Sequence, residues 1–327
     1  MTTKSSRCQT SPAIRLGVSR CLLGERVRYD GGHKHDAYVT DVLGQYVDAW
    51  VGVCPEVECG LPIPRESMRL IGDPSAPRLV MPRSGTDQTE RMLSFTSRKL
   101  DELAAEGLNG FVFKKDSPTS GAFRVRVYDH NGVPKREGSG LFAGSFMQRF
   151  PHLPVEEEGR LHDLPLRENF IERIFAHARW TCLLKEDPTP GGLVAFHSSV
   201  KLALMAHSPA HYQALGRLVA KAGKTPWAEL ADAYLAGFME GLSKLATRGR
   251  HVNVLQHLMG YLKDDLATED KQELLGVFTD YRQGLVPLIV PITLLKHHLA
   301  RHTVPDWVHI QTYLNPYPKE LMLRNHV

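Results

Sequence analysis

Four of the chain's five cysteines, Cys8, Cys21, Cys54 and Cys59, fall within its first 60 residues. Thiolate is a nucleophile and a soft metal ligand, so this clustering points to chemistry in the N-terminal part. An odd number of cysteines at irregular spacing does not describe a disulfide framework. Glu56 stands two residues after Cys54, and a polar turn, "FKKDSPTSGAF" (113–123), carries Ser117 and Ser120. Three readings of the cysteines are open. Structural zinc asks for two short Cys pairs, and Cys54-x4-Cys59 supplies one. A nucleophilic cysteine needs a positioned base, and His33 and His35 are the histidines near the first loop. Buried cysteines at strand ends are common, and spacing alone favours that reading.

The elements that must position these residues follow a repeating pattern. "AIRLGVS" (13–19), "AWVGVCPE" (49–56) and "GFVFK" (110–114) are short apolar runs of strand type. Apolar residues at helical spacing fill 38–47 and 88–106, and Gly107 suits a helix C-cap. "RVRVYDHNG" reads as a fourth strand ending in an Asn-Gly turn, and 140–150 as a closing helix. Strand-helix alternation implies a parallel sheet with helices on both faces. Ligands bind such sheets beyond the carboxyl ends of the strands. Loops 20–32, 54–66 and 115–122 should therefore share one edge, which lets Cys21, Cys54 and the 117–121 turn converge.

Residues 151–170 hold three prolines and three consecutive glutamates and read as a linker. Beyond it the pattern is helical, with segments at 169–184, 195–206, 209–222, 226–246, 251–263, 269–283 and 288–301. The expectation is an α/β protein. A Rossmann-like domain over residues 1–160 is followed by an all-α helical bundle over 161–327. The 327-residue chain is 42% hydrophobic and carries a net charge of +4, ordinary for a soluble protein and only mildly inviting to anions. No apolar run approaches the roughly 20 residues of a membrane span, and the opening residues lack the apolar core of a signal peptide. The cytoplasm is the expected location. Twelve of the 16 histidines lie after residue 160, which suits helix packing and surface positions before it suits an anion-binding face.

Longer motifs carry a resemblance. "SRCLLGERVRYDGG", "CPEVECGLPIPRE" and "FKKDSPTSG" resemble the TudS-type thiouracil desulfidases. "FHSSVKLALMAHSPAHYQALG", "NVLQHLMGYLK", "YRQGLVPLIVPITLLKHH" and "QTYLNPYPKELMLRN" resemble the YbgA-type helical domain. The pairing of the two is similar to the RudS-type desulfidases, which remove sulfur from 4-thiouridine in tRNA. The resemblance implies a 4Fe–4S cluster on three cysteines, mapping onto Cys21, Cys54 and position 120. One iron is left open to bind a thiocarbonyl sulfur, and Glu56 and Ser117 are implied as catalytic residues. It also implies a tRNA partner met by Lys201, His207, Tyr212, Asn253, His257, Lys263 and Arg324. Charge alone does not indicate RNA, since 18 basic residues face 16 acidic ones from residue 161 onward.

Position 120 departs from the family, because it holds serine. An oxygen ligand is harder and less acidic than a thiol and a poor partner for cluster iron. The substitution is open to three readings: a deliberate change, a divergent and inactive member, or Cys59 taking over as ligand. Desulfuration of free thiobases and catalytically silent RNA binding remain as alternative functions.

Overall fold

The computed structural model describes residues 12–326. The chain divides into two compact units, Ala13–Asp163 and the residues from Leu164 onward. Eight strands lie in the first unit: β1 (Arg15–Ser19), β2 (Ala49–Val53), β3 (Arg69–Ile71), β4 (Arg78–Val80), β5 (Gly110–Phe113), β6 (Val125–Tyr128), β7 (Pro134–Gly138) and β8 (Val155–Glu157). They form two four-stranded sheets. The first has the order β2-β1-β5-β8 and every neighbouring pair is parallel. The second has the order β4-β3-β6-β7, with two antiparallel hairpins joined by a parallel pair.

Three corrections to the sequence reading follow. The strand in "RVRVYD" belongs to the second sheet and does not extend the first. The expected helix over 38–47 is a π-helical turn, Tyr38–Val42, running into a 3-10 turn, Leu43–Tyr46. The start of the expected linker is β8, with Phe111, Val112 and Phe113 aligned to Val155, Glu156 and Glu157.

Helices α1 (Pro55–Glu58), α2 (Thr89–Ala105) and α3 (Leu141–Arg149) complete this unit. An aromatic cluster packs α3 on the parallel sheet. Phe111 and Phe113 from β5 stack at 4.2 Å, and Phe146 of α3 meets Phe111 at 4.9 Å. Burying each such ring contributes about 1.5–3 kcal/mol. Gly17 of β1 makes the room, because a Cβ there would lie 2.1 Å from the Phe111 ring.

The second unit is helical, as the periodicity requires. It comprises α4 (Leu164–Glu186), α5 (Pro190–His207), α6 (Pro209–Val219), α7 (Trp227–Ser243), α8 (Arg248–Met259), α9 (Thr268–Gln283), α10 (Ile289–Arg301) and the short α11 (Asp306–His309). Capping residues define the starts. Thr189, Ser208 and Thr247 each accept a backbone N–H three residues on, and Pro190 and Pro209 occupy the first helical positions. Trp180, Phe196, Tyr234 and Phe238 build one core, with Trp180 stacked on Tyr234 at 5.4 Å. Among the described residues no helix is long and apolar enough to cross a membrane. Cys21, Cys54 and Cys59 carry free thiols. Cys182 is disulfide-bonded, a bridge that the composition did not suggest.

Candidate active site

The parallel register places the ends of β1, β2 and β5 together: Ser19 pairs with Val53, and Val18 with Val112. Cys21 follows Ser19 in a 3-10 turn, Cys54 follows Val53 directly, and the 114–121 loop follows Phe113. The backbone N–H of Lys114 donates to Ser19 Oγ at 3.0 Å and ties the third strand end to the first. Between them lies a cavity of about 400 Å³, lined by Cys21, Cys54, Glu56, Ser117 and Ser120 together with Arg65 and Lys114. The five residues implied by the resemblance, Cys21, Cys54, Glu56, Ser117 and Ser120, therefore meet in one place, and Cys59 does not join them.

A short hydrogen-bond chain organises the cavity. Thr119 Oγ1 donates to Glu56 Oε1 at 2.6 Å. Ser117 Oγ lies 3.0 Å from Thr119 Oγ1, and since the Thr119 proton is committed to Glu56, Ser117 is the donor in that pair. Ser117 Oγ also accepts the backbone N–H groups of Thr119 and Ser120, at 3.3 and 3.0 Å. The Cys54 thiol donates to Glu56 Oε2 at 3.4 Å, and the Arg65 guanidinium stands 4.0 Å from the same oxygen. Sequence reading missed Thr119, which is fully buried; only its place between two serines in the turn could have drawn attention to it.

The loop is clamped from two sides. At the start of α3, the N–H groups of Gly140, Leu141 and Phe142 donate to the carbonyls of Gly121, Pro118 and Thr119 at 2.7, 3.2 and 3.0 Å. Beyond β8, Glu158 pairs with Lys114 and accepts the Lys115 N–H. Glu157, buried in β8, accepts the N–H groups of Ala122 and Phe123 at 2.9 and 3.1 Å. The glutamate run is thus part of the site's frame.

Burial pushes the Cys21 thiol up to about 11. Burial and the Glu56 charge push Cys54 up to about 12. Both are protonated at neutral pH unless a metal displaces the proton. Cys59 does not line the cavity. Its thiol donates to the Glu56 carbonyl at 3.2 Å and packs beside the aromatic core, so it is not placed to substitute for a ligand at position 120. The donors present are two thiols and the Ser120 hydroxyl, itself 4% exposed. Among the described residues, three Cys, His, Asp or Glu ligand atoms close enough for one metal ion occur only at Asp270, Glu273 and His298, and not at this cavity.

The residues implied for RNA divide into two groups. Lys201 is half-buried on α5, with Nζ 3.6 Å from the Trp307 ring centroid. Tyr261 packs edge-on to Trp307 at 5.1 Å and His257 edge-on to Tyr261 at 5.5 Å. Asn253, His257 and Lys263 are exposed, and Tyr212 is half-buried. His207 and Arg324, by contrast, are buried inside the unit. Trp307 was not singled out from the sequence.

The chain thus has two units, one with a cavity of thiols and a carboxylate at the carboxyl edge of a parallel sheet and one that is a helical bundle. Its relatives give the family. Residues 16–158 match the family model for 2-thiouracil desulfurase, and residues 201–318 match a protein family of unknown function, DUF1722. The uncharacterized protein YbgA of Escherichia coli (strain K12) is 34% identical over 162 residues, spanning 48% of this chain and 94% of that protein. The chain belongs to the YbgA-like family and joins that helical unit to a 2-thiouracil desulfurase domain. Among solved structures, a 4Fe-4S-dependent thiouracil desulfidase, TudS, is similar at 32% identity, covering 47% of this chain and 97% of that one with a TM-score of 0.38.

Proposed function

We propose that this chain acts on 4-thiouridine in tRNA in the cytoplasm, exchanging the C4 thiocarbonyl for a carbonyl with water and releasing hydrogen sulfide. The observation that carries the reading is Glu56, a carboxylate held by Thr119 in the same cavity as Cys21 and Cys54, within a segment that matches the 2-thiouracil desulfurase family. Glu56 accepts the proton of the water that adds to C4. The Ser117–Thr119 hydroxyl pair passes a proton between the cavity and that carboxylate. The Lys201–Trp307–Tyr261–His257 cluster, with Asn253 and Lys263 exposed nearby in sequence, supports an RNA partner over a free thiobase. Cation and aromatic groups together suit phosphate contact and base stacking. Glu56→Gln is expected to abolish sulfide release while leaving the thermal transition within a few degrees; sulfide release at the native rate by the Gln variant refutes the role.

The residues present do not complete a three-thiolate set for a 4Fe–4S cluster, since Ser120 offers oxygen where the third sulfur would stand. That observation favours a second reading, a catalytically silent RNA-binding chain. Anaerobic reconstitution of the native and Ser120→Cys proteins, with iron counted and sulfide release from thiolated tRNA measured, separates the two. Iron and turnover only in the Cys form support silence of the native chain. Iron and turnover in the serine form support the enzyme.

A further inference from the structure

The helical unit encloses a second cavity, of about 240 Å³. That is room for several waters at about 30 Å³ each. Glu168, Asn169 and Glu172 reach it from α4, His207 from the end of α5, His251 from the start of α8 and Arg324 from the closing segment. Charged groups are seldom buried unless paired, and most of these pair with one another. Arg324 donates through Nε to Glu168 Oε1 at 3.1 Å and through Nη1 to the Tyr313 carbonyl at 2.6 Å. His207 faces Glu172 Oε2 at 3.3 Å and the Lys244 carbonyl at 2.7 Å. Inward carboxylates and imidazoles in a bundle usually suggest a metal. Here Arg324 stands among them as the cation, and no three of their ligand atoms converge among the described residues.

Several polar atoms on the cavity have no hydrogen bond among the described residues, Asn169 Oδ1 and the Tyr281 hydroxyl as well as one atom each of Glu172 and His251. Among the described residues no hydrogen bond reaches Glu172 Oε1 or His251 Nε2, although the two side chains are 5% and 9% exposed and both line the cavity. The other His251 nitrogen is occupied by the Tyr313 hydroxyl at 3.0 Å. Leu245, Leu288 and the Tyr281 ring supply apolar wall. Arg248, also on the cavity, is exposed and has no ion-pair partner among the described residues.

We propose that this cavity binds a nucleobase with a lactam edge, an N–H beside a C=O as in guanine and uracil, and that Arg248 meets the attached phosphate outside. Glu172 Oε1 accepts the ring N–H, a charge-assisted bond, and His251 Nε2–H donates to the neighbouring carbonyl. Adenine and cytosine present a bare ring nitrogen at that edge, which would set a lone pair against the carboxylate and leave it unsatisfied. A free nucleotide and a nucleotide unstacked from RNA offer the same edge. The proposal concerns a different cavity in a different unit and does not rest on the desulfidase reading.

Isothermal titration of the intact chain with GMP, UMP, CMP and AMP tests it, with 1-methyl-GMP and 3-methyl-UMP as blocked-edge controls and single-stranded oligonucleotides with or without G and U as the RNA arm. GMP or UMP is expected to bind at least tenfold more tightly than CMP, AMP and its own N-methylated form. Glu172→Gln should weaken binding at least tenfold. Leu245→Trp, at a half-exposed position lining the cavity, should do the same without touching the buried network. Lactam-dependent binding by mononucleotides assigns the site to free nucleotides. The same dependence confined to oligonucleotides assigns it to RNA. Binding that ignores N-methylation, that survives Leu245→Trp unchanged, or that is absent for both ligand forms overturns the proposal.

Discussion

Replacing Gly140 with alanine should loosen the active-site loop through a single methyl group. Gly140 has φ −63 and ψ 148, values any residue adopts, so backbone strain is not the issue. The added Cβ would lie 2.4 and 2.5 Å from the Thr119 carbonyl carbon and oxygen and 2.9 Å from the Ser120 nitrogen. These are backbone atoms and cannot rotate away. Overpacking of this kind costs about 1–3 kcal/mol. Relieving it moves the loop off the α3 terminus, where the Gly140, Leu141 and Phe142 N–H groups hold it, and each lost bond adds about 1 kcal/mol. With one such bond lost the total is about 2–4 kcal/mol, which corresponds to a fall of about 4–16 °C in the melting of a unit this size. Calorimetry of the full chain, with Gly276→Ala as control, is the assay. Gly276 lies inside α9 with nothing within 4 Å of its Cβ position, so alanine there should stabilise by about 0.5–1 kcal/mol. An unchanged transition for Gly140→Ala would refute the view that the loop is seated on α3 by this contact.

Thr119→Val keeps the shape but leaves Glu56 Oε1 without its donor, which should cost about 1–3 kcal/mol; Thr119→Ser keeps the donor and loses only a buried methyl, about 1 kcal/mol, so a Val variant as stable as the native chain would remove the hydroxyl from the account. The helical unit should lose stability as pH falls from 7 to 5. Burial holds His251 down at about 3 and His197 at about 4, so the unfolded chain binds protons near 6.5 that the fold refuses, costing about 2 kcal/mol for the fully buried His251 across that interval. The His207–Glu172 pair opposes this only in part. His207 is raised by Glu172, so its contribution is full below about 6.5 and fades as pH rises through its folded value, while Glu172, held at about 2 chiefly by His207 against the cost of burial, loses its contribution only as pH falls toward that value. Melting curves at the two pH values for native and His251→Gln chains check the slope, and a native chain insensitive to pH would contradict it.

What was legible in the sequence was whatever a period or a topology rule governs. The three apolar runs and the carboxyl-edge rule brought Cys21, Cys54 and the 117–121 turn to one cavity. Seven helical segments of the second unit were readable from their apolar period, with Ser208-Pro209, Thr225-Pro226 and Pro287 marking some of the starts. What was missed obeys neither kind of rule. β8 was hidden because "VEE" has weak strand propensity, and Glu157 is buried there by accepting the loop N–H groups of Ala122 and Phe123, a tertiary reason invisible along the chain. The apolar spacing over 38–47 does not separate an α-helix from the π and 3-10 turns that form there. Thr119 lacked the spacing cue that singled out Cys54 and Glu56, since its role depends on a carboxylate 63 residues away.

The position of β8 also orders events during synthesis. The strand that frames the active-site loop is the last of its unit to leave the ribosome, and only a few residues separate it from α4. A nascent chain that has emerged as far as α3 already has both thiols, Glu56 and both loop serines. It still lacks the two carboxylates that fasten the loop's ends. Domains generally fold as units, and the loop of this pocket has its full set of anchors only once residues 155–158 have arrived. A genetic cut placed before that point severs a working part of the pocket, whereas one placed after Asp163 leaves it whole.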